Sequence, residues 1–363
     1  MNIIFIGTYD TADFGGINSY VLNLSIQLEK MGHKCIAIRQ SDRNYETKIQ
    51  GIKFVNIATK GPKMAGSACF PKAINYILKN DLRPDVVVFQ SYFIAPLFDW
   101  KLTRKGIKVC YVQHSFACDN PKNKFLVKAV ERIIERFTAI WAKNIITVGS
   151  NMAALVEKRL GVKPSIVRGG IFMPPEETST SNILERFDLK PDNFFLTIAR
   201  IDPVKNLHIL INGFKKYKGE KSLVIGGNIN NPYGKQLDEL SQKDHRIKLV
   251  GPLLGADKDV MLRNCFAYCM VSYSEGFPIS LLEAMSYGKR CIASDITPNV
   301  EALSNELGVW CKVNSEDDIT KALTMTEVDN NRKDLEVKIR DRVASRFTWE
   351  ASANSFLKYV NTL

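Results

Sequence analysis

The sequence predicts an α/β protein of two successive units, each an open parallel sheet covered by helices. Three observations predict it. Short β-branched apolar runs alternate with helix-period segments from the first residues onward, the pattern of repeated βαβ units. The alternation breaks at residues 168–182, which are rich in Gly, Pro, Ser and Thr, and then restarts. No apolar run approaches the ~20 residues of a membrane span, so the 363 residues must bury their apolar segments in cores of their own.

In order, Ile3–Ile6 reads as the first buried strand. The preceding residues lack the basic region of a leader, and the apolar run stops at Gly7-Thr8-Tyr9-Asp10. Ile17–Met31 has helical periodicity at Val21, Leu24 and Leu28, with Gly32 as its stop. Cys35–Ile38, Asp85–Phe89, Val109–Val112 and Ile145–Val148 are the next strands. Beyond the linker, strands are expected at Phe194–Ile198, Ser222–Ile225, Lys248–Val250, Ala267–Val271 and Cys291–Ala293, with helices at Leu207–Lys216, Ile279–Tyr287 and Asn331–Arg346. An amphipathic segment, Glu350–Tyr359, ends the chain.

The net charge of +12 is not evenly spread. Residues 1–170 hold 25 Lys and Arg against 12 Asp and Glu, whereas the remainder is close to neutral. A basic half suggests an anionic partner. Nothing resembles a nucleic-acid recognition motif, so no nucleic-acid partner is expected. The eight cysteines form no CxxC pair and several sit in strand-like runs, which suits buried free thiols in a cytoplasmic protein rather than disulfides or a metal centre.

Ligands of open parallel sheets bind beyond the carboxyl ends of the strands, so the loops after strands matter most. The first, Gly7–Gly16, carries Gly15-Gly16 before a helix. Such a pair lets backbone N–H groups approach a phosphate, although taken alone it is better explained by a tight turn into a helix. It is neither a GxGxxG fingerprint nor a Walker loop. The second loop presents Arg200 and Lys205 past the strand ending at Ala199, with Asp202-Pro203 opening the turn and Asn206 expected to cap the next helix. Two cations there suit a diphosphate, and two solvated surface charges are the plain alternative. The third, after Ala267–Val271, holds Glu275, the turn Gly276-Phe277-Pro278, and Glu283 one turn inside the helix that starts at Ile279. Carboxylates accept pairs of sugar hydroxyls. The alternative is a helix cap at Glu275 and an exposed charge at Glu283.

The run from Glu275 through Glu283 to Gly288 resembles the E-x7-E motif of retaining GT-B glycosyltransferases of family 4, the glycosyl transferases group 1. Arg200 and Lys205 resemble that family's diphosphate-binding pair, Gly15-Gly16 its N-terminal glycine loop, Lys248–Gly251 the strand end that holds the base, and Phe347-Thr348-Trp349-Glu350 the start of its closing helix. The resemblance implies a GT-B fold with two Rossmann-like domains facing across a cleft. Residues 1–170 would bind the acceptor, residues 171–345 would bind the nucleotide sugar, and residues 346–363 would cross back to the first domain. It implies transfer of a hexose from a nucleotide sugar, UDP-linked before GDP-linked, to a glycan or lipid-linked acceptor with retention of configuration, in bacterial surface polysaccharide or glycolipid synthesis. A nucleotide-sugar epimerase and an inactive glycan-binding subunit share the architecture.

In that scheme Arg200 and Lys205 stabilise the leaving diphosphate, with no cofactor or metal. Glu283 holds ribose hydroxyls and Glu275 a hydroxyl of the donor sugar, helped by backbone groups of Gly276, Phe277, Pro278 and Ile279. Val250 meets the base, and Gly15 and Gly16 meet the phosphates. His114, at a strand end, would act on the donor sugar or acceptor or else be structural. Asp13 and Asn18 are further acceptor-binding candidates. Lys122–Lys143 mixes Lys and Arg with apolar and aromatic residues, so it could rest on an anionic membrane surface or pack as an ordinary helix with a solvated face. Glu131 and Glu135 would dilute its charge. The protein would then be peripheral on the inner face of a membrane.

Overall fold

The structure, a computed structural model, describes residues 1–10, 16–59, 69–114, 116, 125–177, 179–328 and 332–363. The chain divides into two units: Met1–Gly169 together with Trp349–Leu363, and Gly170–Thr348. The first unit runs β1 (Asn2–Tyr9), α1 (Gly16–Lys30), β2 (Lys34–Ser41), β3 (Tyr45–Ile49), β4 (Ile52–Ala58), α2 (Phe70–Lys79), β5 (Val86–Phe89), α3 (Trp100–Thr103), β6 (Lys108–Gln113), α4 (Phe125–Ala139), β7 (Ile145–Thr147), α5 (Ser150–Leu160) and β8 (Ser165–Ile166). Its strand order is β3-β4-β2-β1-β5-β6-β7-β8. Every pairing is parallel except β3 with β4.

The short runs become strands because they are apolar at every position. Val86–Phe89 is buried on both faces, as parallel strands between two helical layers must be. Each fully buried valine or phenylalanine contributes roughly 2 kcal/mol. The β3–β4 hairpin was not expected. Its turn, Gln50-Gly51, has φ of 48° and 88°, the left-handed pair of a two-residue hairpin.

The second unit runs α6 (Ile183–Arg186), β9 (Phe194–Ile198), α7 (Leu207–Lys216), β10 (Ser222–Gly226), α8 (Pro232–Ser241), β11 (Ile247–Gly251), α9 (Gly255–Asn264), β12 (Ala267–Met270), α10 (Ile279–Ser286), β13 (Arg290–Ser294), α11 (Thr297–Leu303), β14 (Gly308–Cys311), α12 (Glu316–Val328) and α13 (Arg332–Arg346). Its sheet is parallel, ordered β11-β10-β9-β12-β13-β14. That order reverses direction between β9 and β12. A dinucleotide-binding sheet has the same switch point.

The last helix, α14 (Trp349–Asn361), belongs to the first unit. Phe356 packs 6.1 Å from Phe5, and Trp349 packs edge-on to Tyr20 at 5.8 Å. The seven described cysteines are free and buried, and Cys118 lies outside the described residues. Among the described residues no helix is long and apolar enough to cross a membrane.

Candidate active site

The β9–β12 switch point carries the two loops that the sequence singles out. After β9, the Asp202 carboxylate accepts from the Val204 N–H at 3.1 Å and closes a single 3-10 turn, Pro203–Lys205. The Val204 carbonyl in turn accepts from the Tyr273 N–H at 2.8 Å. This bond stitches the loop after β9 to the loop after β12. Lys205 and Glu275 meet across the stitch, Nζ donating to Oε1 at 2.7 Å. Their side chains are only 19% and 9% exposed.

This pairing alters the expected roles. Lys205 and Glu275 were assigned to different parts of a ligand, but here they satisfy each other, and Glu275 caps no helix. A largely buried cation released from its carboxylate needs another anion, because a desolvated unpaired charge is costly. Arg200 contrasts with them. Its side chain is 80% exposed, and its ion-pair partner, Asp202, lies 3.9 Å away. It is a long charged arm that is free to reorient.

Asn206 does not cap α7 through its side chain, contrary to expectation. It adopts a left-handed conformation, φ 58°, which asparagine tolerates better than most residues. Its buried Nδ2 has no hydrogen-bond partner among the described residues. An orphan donor therefore sits in the chain directly after Lys205.

At the start of α10, Pro278 has no N–H, and the Ile279 N–H is bonded to Phe277 O at 3.0 Å in a three-residue turn. Of the expected backbone donors, only those of Gly276 and Phe277 are left to a ligand. Glu283 is held by Lys258 of α9, Nζ to Oε1 at 2.5 Å. Sequence reasoning missed Lys258, since no motif marks a residue whose only role is set by its position across from Glu283. Val250 buries its side chain in the core of the unit, so only its backbone can meet a ligand.

A second glycine pair, Gly226-Gly227 at the end of β10, was also missed. Gly226 O accepts from Ala199 N–H at 3.0 Å, and Gly227 N–H donates to Gly251 O at 2.8 Å. These bonds gather the ends of β9, β10 and β11. The run Ile225-Gly226-Gly227-Asn228 was the available signal.

In the first unit, Asp13 and Gly15 lie outside the described residues. Gly16 opens α1, and among the described residues nothing would lie within 4 Å of a Cβ there. Neither backbone strain nor packing requires glycine at this position. Gly16→Ala should therefore leave Tm unchanged or slightly raised, by up to ~1 kcal/mol of helix propensity. If a phosphate approaches that backbone, donor KM should rise about tenfold, a loss of roughly 1.4 kcal/mol. Paired melting curves and donor titrations check this.

Asn18, the other acceptor-binding candidate in this stretch, is buried and bonded to the backbone. Its amide accepts from the Tyr9 N–H at 3.3 Å and donates to the Tyr9 carbonyl at 2.8 Å, so it clamps the end of β1.

His114 follows β6. Its Nε2 pairs with Gln90 Oε1 at 2.9 Å, and its ring stacks edge-on against Tyr20. Gln90 is buried and its Nε2 has no partner among the described residues. Burial pushes the His114 imidazole down to about 4, so the ring is neutral near pH 7. The unfolded chain takes up the proton near pH 6.5. Stability is therefore lost as pH falls from about 6.5 towards 4. His114→Gln should flatten that decline, by at most about 1.4 kcal/mol per pH unit, in denaturant melts across this range.

Comparison with known proteins identifies the family. Residues 181–342 match the family described as glycosyl transferases group 1, and residues 14–171 match glycosyltransferase family 4. The chain is 34% identical over 106 residues to the N,N'-diacetylbacillosaminyl-diphospho-undecaprenol alpha-1,3-N-acetylgalactosaminyltransferase of Campylobacter jejuni, covering 28% of this chain and 27% of that protein. It is 27% identical over 260 residues to the UDP-Gal:alpha-D-GlcNAc-diphosphoundecaprenol alpha-1,3-galactosyltransferase of Escherichia coli, covering 66% and 65%. The matches thus span about a quarter of the first relative and just under two thirds of the second. In fold, sucrose-phosphate synthase from Thermosynechococcus elongatus superposes with a TM-score of 0.78 at 17% identity, over 99% of this chain and 98% of that one. The two family matches take in both units, and the loops at the β9–β12 switch point carry the resembling residues. The chain therefore has the GT-B fold and belongs to the glycosyl transferases group 1 of family 4.

Proposed function

We propose that the protein transfers a hexose from a nucleotide sugar, UDP-linked in preference to GDP-linked, to a lipid-linked or glycan acceptor with retention of configuration, in bacterial surface glycan assembly. The observation that carries this reading is the Lys205–Glu275 pair at the β9–β12 switch point, with the exposed arm of Arg200 beside it in the chain. A diphosphate entering there draws Lys205 off Glu275. The lysine then neutralises the leaving group as it forms, and Arg200 folds onto the same oxygens. The freed Glu275 carboxylate accepts from a hydroxyl of the donor sugar, and Glu283, already oriented by Lys258, accepts from the ribose. The first unit takes the acceptor, with neutral His114 as its polar contact.

Two features of the relatives support the finer points. Both are named for alpha linkages and for diphospho-undecaprenol substrates. A hexose that is alpha-linked to its nucleotide and alpha-linked in the product has kept its configuration. Thermal-shift screening against UDP- and GDP-hexoses, followed by NMR of the product made from the best binder, tests the reading. An alpha product from an alpha-linked donor supports retention. A beta product, or no nucleotide that raises Tm, overturns the proposal.

A further inference from the structure

Helix α4 carries its amphipathic pattern the wrong way round for a water-facing helix. Leu126, Val130, Ile133 and Phe137 recur at one helical face and are 76%, 55%, 70% and 56% exposed. Ile140 and Trp141 extend the stripe into the following turn at 70% and 47%. The carboxylates face the other way, Glu131 and Glu135 being 6% and 3% exposed, together with buried Thr138. The acidic residues therefore do not dilute the surface charge, as the sequence suggested they would. The exposed cations of the helix, Arg132 and Arg136, flank the apolar stripe. The turn Ala95–Leu97 packs against α4, and Leu97, Trp100, Trp141 and Lys143 line one groove. Arg104 and Lys101 lie over the exposed Trp100 ring at 4.7 and 5.7 Å.

We infer that this face docks on an anionic lipid bilayer, with the Leu126–Phe137 stripe and the Trp100 and Trp141 rings entering the headgroup boundary and the arginines and lysines on phosphates. Aliphatic residues at the centre, aromatics at the margin and cations around them are the composition of an interfacial helix. Charge decides between occupants. The patch lies in the half with a net charge of +13. A second copy would bring the same cations face to face, whereas an anionic leaflet complements them. The inference stands on exposure and charge, and its test reads binding rather than turnover, so it can fail without the proposed reaction failing, and the reverse.

The test is co-sedimentation of the full chain with phosphatidylcholine vesicles that hold either no phosphatidylglycerol or about a third, at low and moderate salt, alongside light scattering of the protein alone. The expected result is a lipid-free monomer that binds the anionic vesicles, with affinity falling as salt rises. Ile133→Ser with Phe137→Ser should weaken partition at least about tenfold. Arg132→Gln and Arg136→Gln should each weaken it about fivefold. All four positions are solvent-exposed, so their melting temperatures should stay at the wild-type value. Brominated lipid should quench tryptophan emission, and Trp100→Phe with Trp141→Phe should remove most of that quenching. The inference is overturned if the anionic vesicles do not bind at low salt. It is also overturned if binding is indifferent to Ile133→Ser with Phe137→Ser, or if the wild type is a dimer that those substitutions split.

Discussion

Lys205→Ala is expected to lower kcat by about 10²–10³, the size of effect seen when one preorganised donor to a developing charge is removed. The structure explains why the loss is more than one contact. Lys205 is largely buried beside Glu275, so its removal takes away the cation for the leaving group and also leaves Glu275 unpaired in a poorly hydrated site. An unpaired carboxylate there repels a diphosphate. Lys205→Arg keeps the charge but carries a planar head on a longer stem, and should recover only part of the rate. Glu275→Gln removes the repulsion along with the sugar contact. Steady-state kinetics on the three variants, with melting curves to show that each folds, check the prediction. Arg200→Ala separates folding from chemistry, because an 80% exposed side chain carries little of the fold: its melting curve should match the wild type while its rate falls.

The second large effect falls on stability. A Cβ on Gly227 would lie 2.3 Å from the Ala199 carbonyl oxygen and 2.8 Å from Ile201 Cδ1, at a φ of 156°. The nearer clash is with backbone, so no rotamer change relieves it. Gly227→Ala must push Ala199 aside, and Ala199 is tied to Gly226 and directly precedes Arg200. A cost of roughly 3 kcal/mol or more is expected, read as a lower midpoint in urea. The neighbouring loop should move with it, so activity should fall even at temperatures where the variant is folded. Gly16→Ala offers the opposite case. Nothing described crowds it, and any loss there belongs to the ligand.

Much of this fold could be read before the structure, and the reasons differ by element. Phe194–Ile198 and Leu207–Lys216 were placed to the residue, because a short all-apolar run and a clean helical period bounded by turn residues each admit one reading. The β3–β4 hairpin was missed because Tyr45–Ile49 carries Glu46 and Lys48 on an edge strand, where burial does not select for a continuous apolar run. Periodicity identified the helix after Lys122 as amphipathic but could not say which face turns inward. Tertiary packing decides that, and in α4 it buries Glu131 and Glu135.

The site was legible in part. Residue types at fixed spacing marked Arg200, Lys205, Glu275 and Glu283. Their pairing was not legible, since the Lys205–Glu275 contact depends on the bond that Tyr273 donates to Val204 across two loops, and Glu283 depends on Lys258, twenty-five positions away in the chain. The local bonding of Asn18 and Asn206 was illegible for the same reason. A short amide beside a turn has several local backbone partners within reach, and the structure chose the end of β1 for one and a left-handed turn for the other.

Calorimetric titration of UDP and GDP into the wild type, Lys205→Ala and Glu275→Gln tests the central claim most directly, because the claim fixes opposite signs. If the diphosphate must take Lys205 from Glu275, Lys205→Ala weakens the preferred nucleotide by roughly thirtyfold, about 2 kcal/mol. Glu275→Gln, which frees the lysine, then binds the nucleotide more tightly than the wild type while turning over donor more slowly. Equal weakening in both variants, or unchanged affinity in both, would contradict the account.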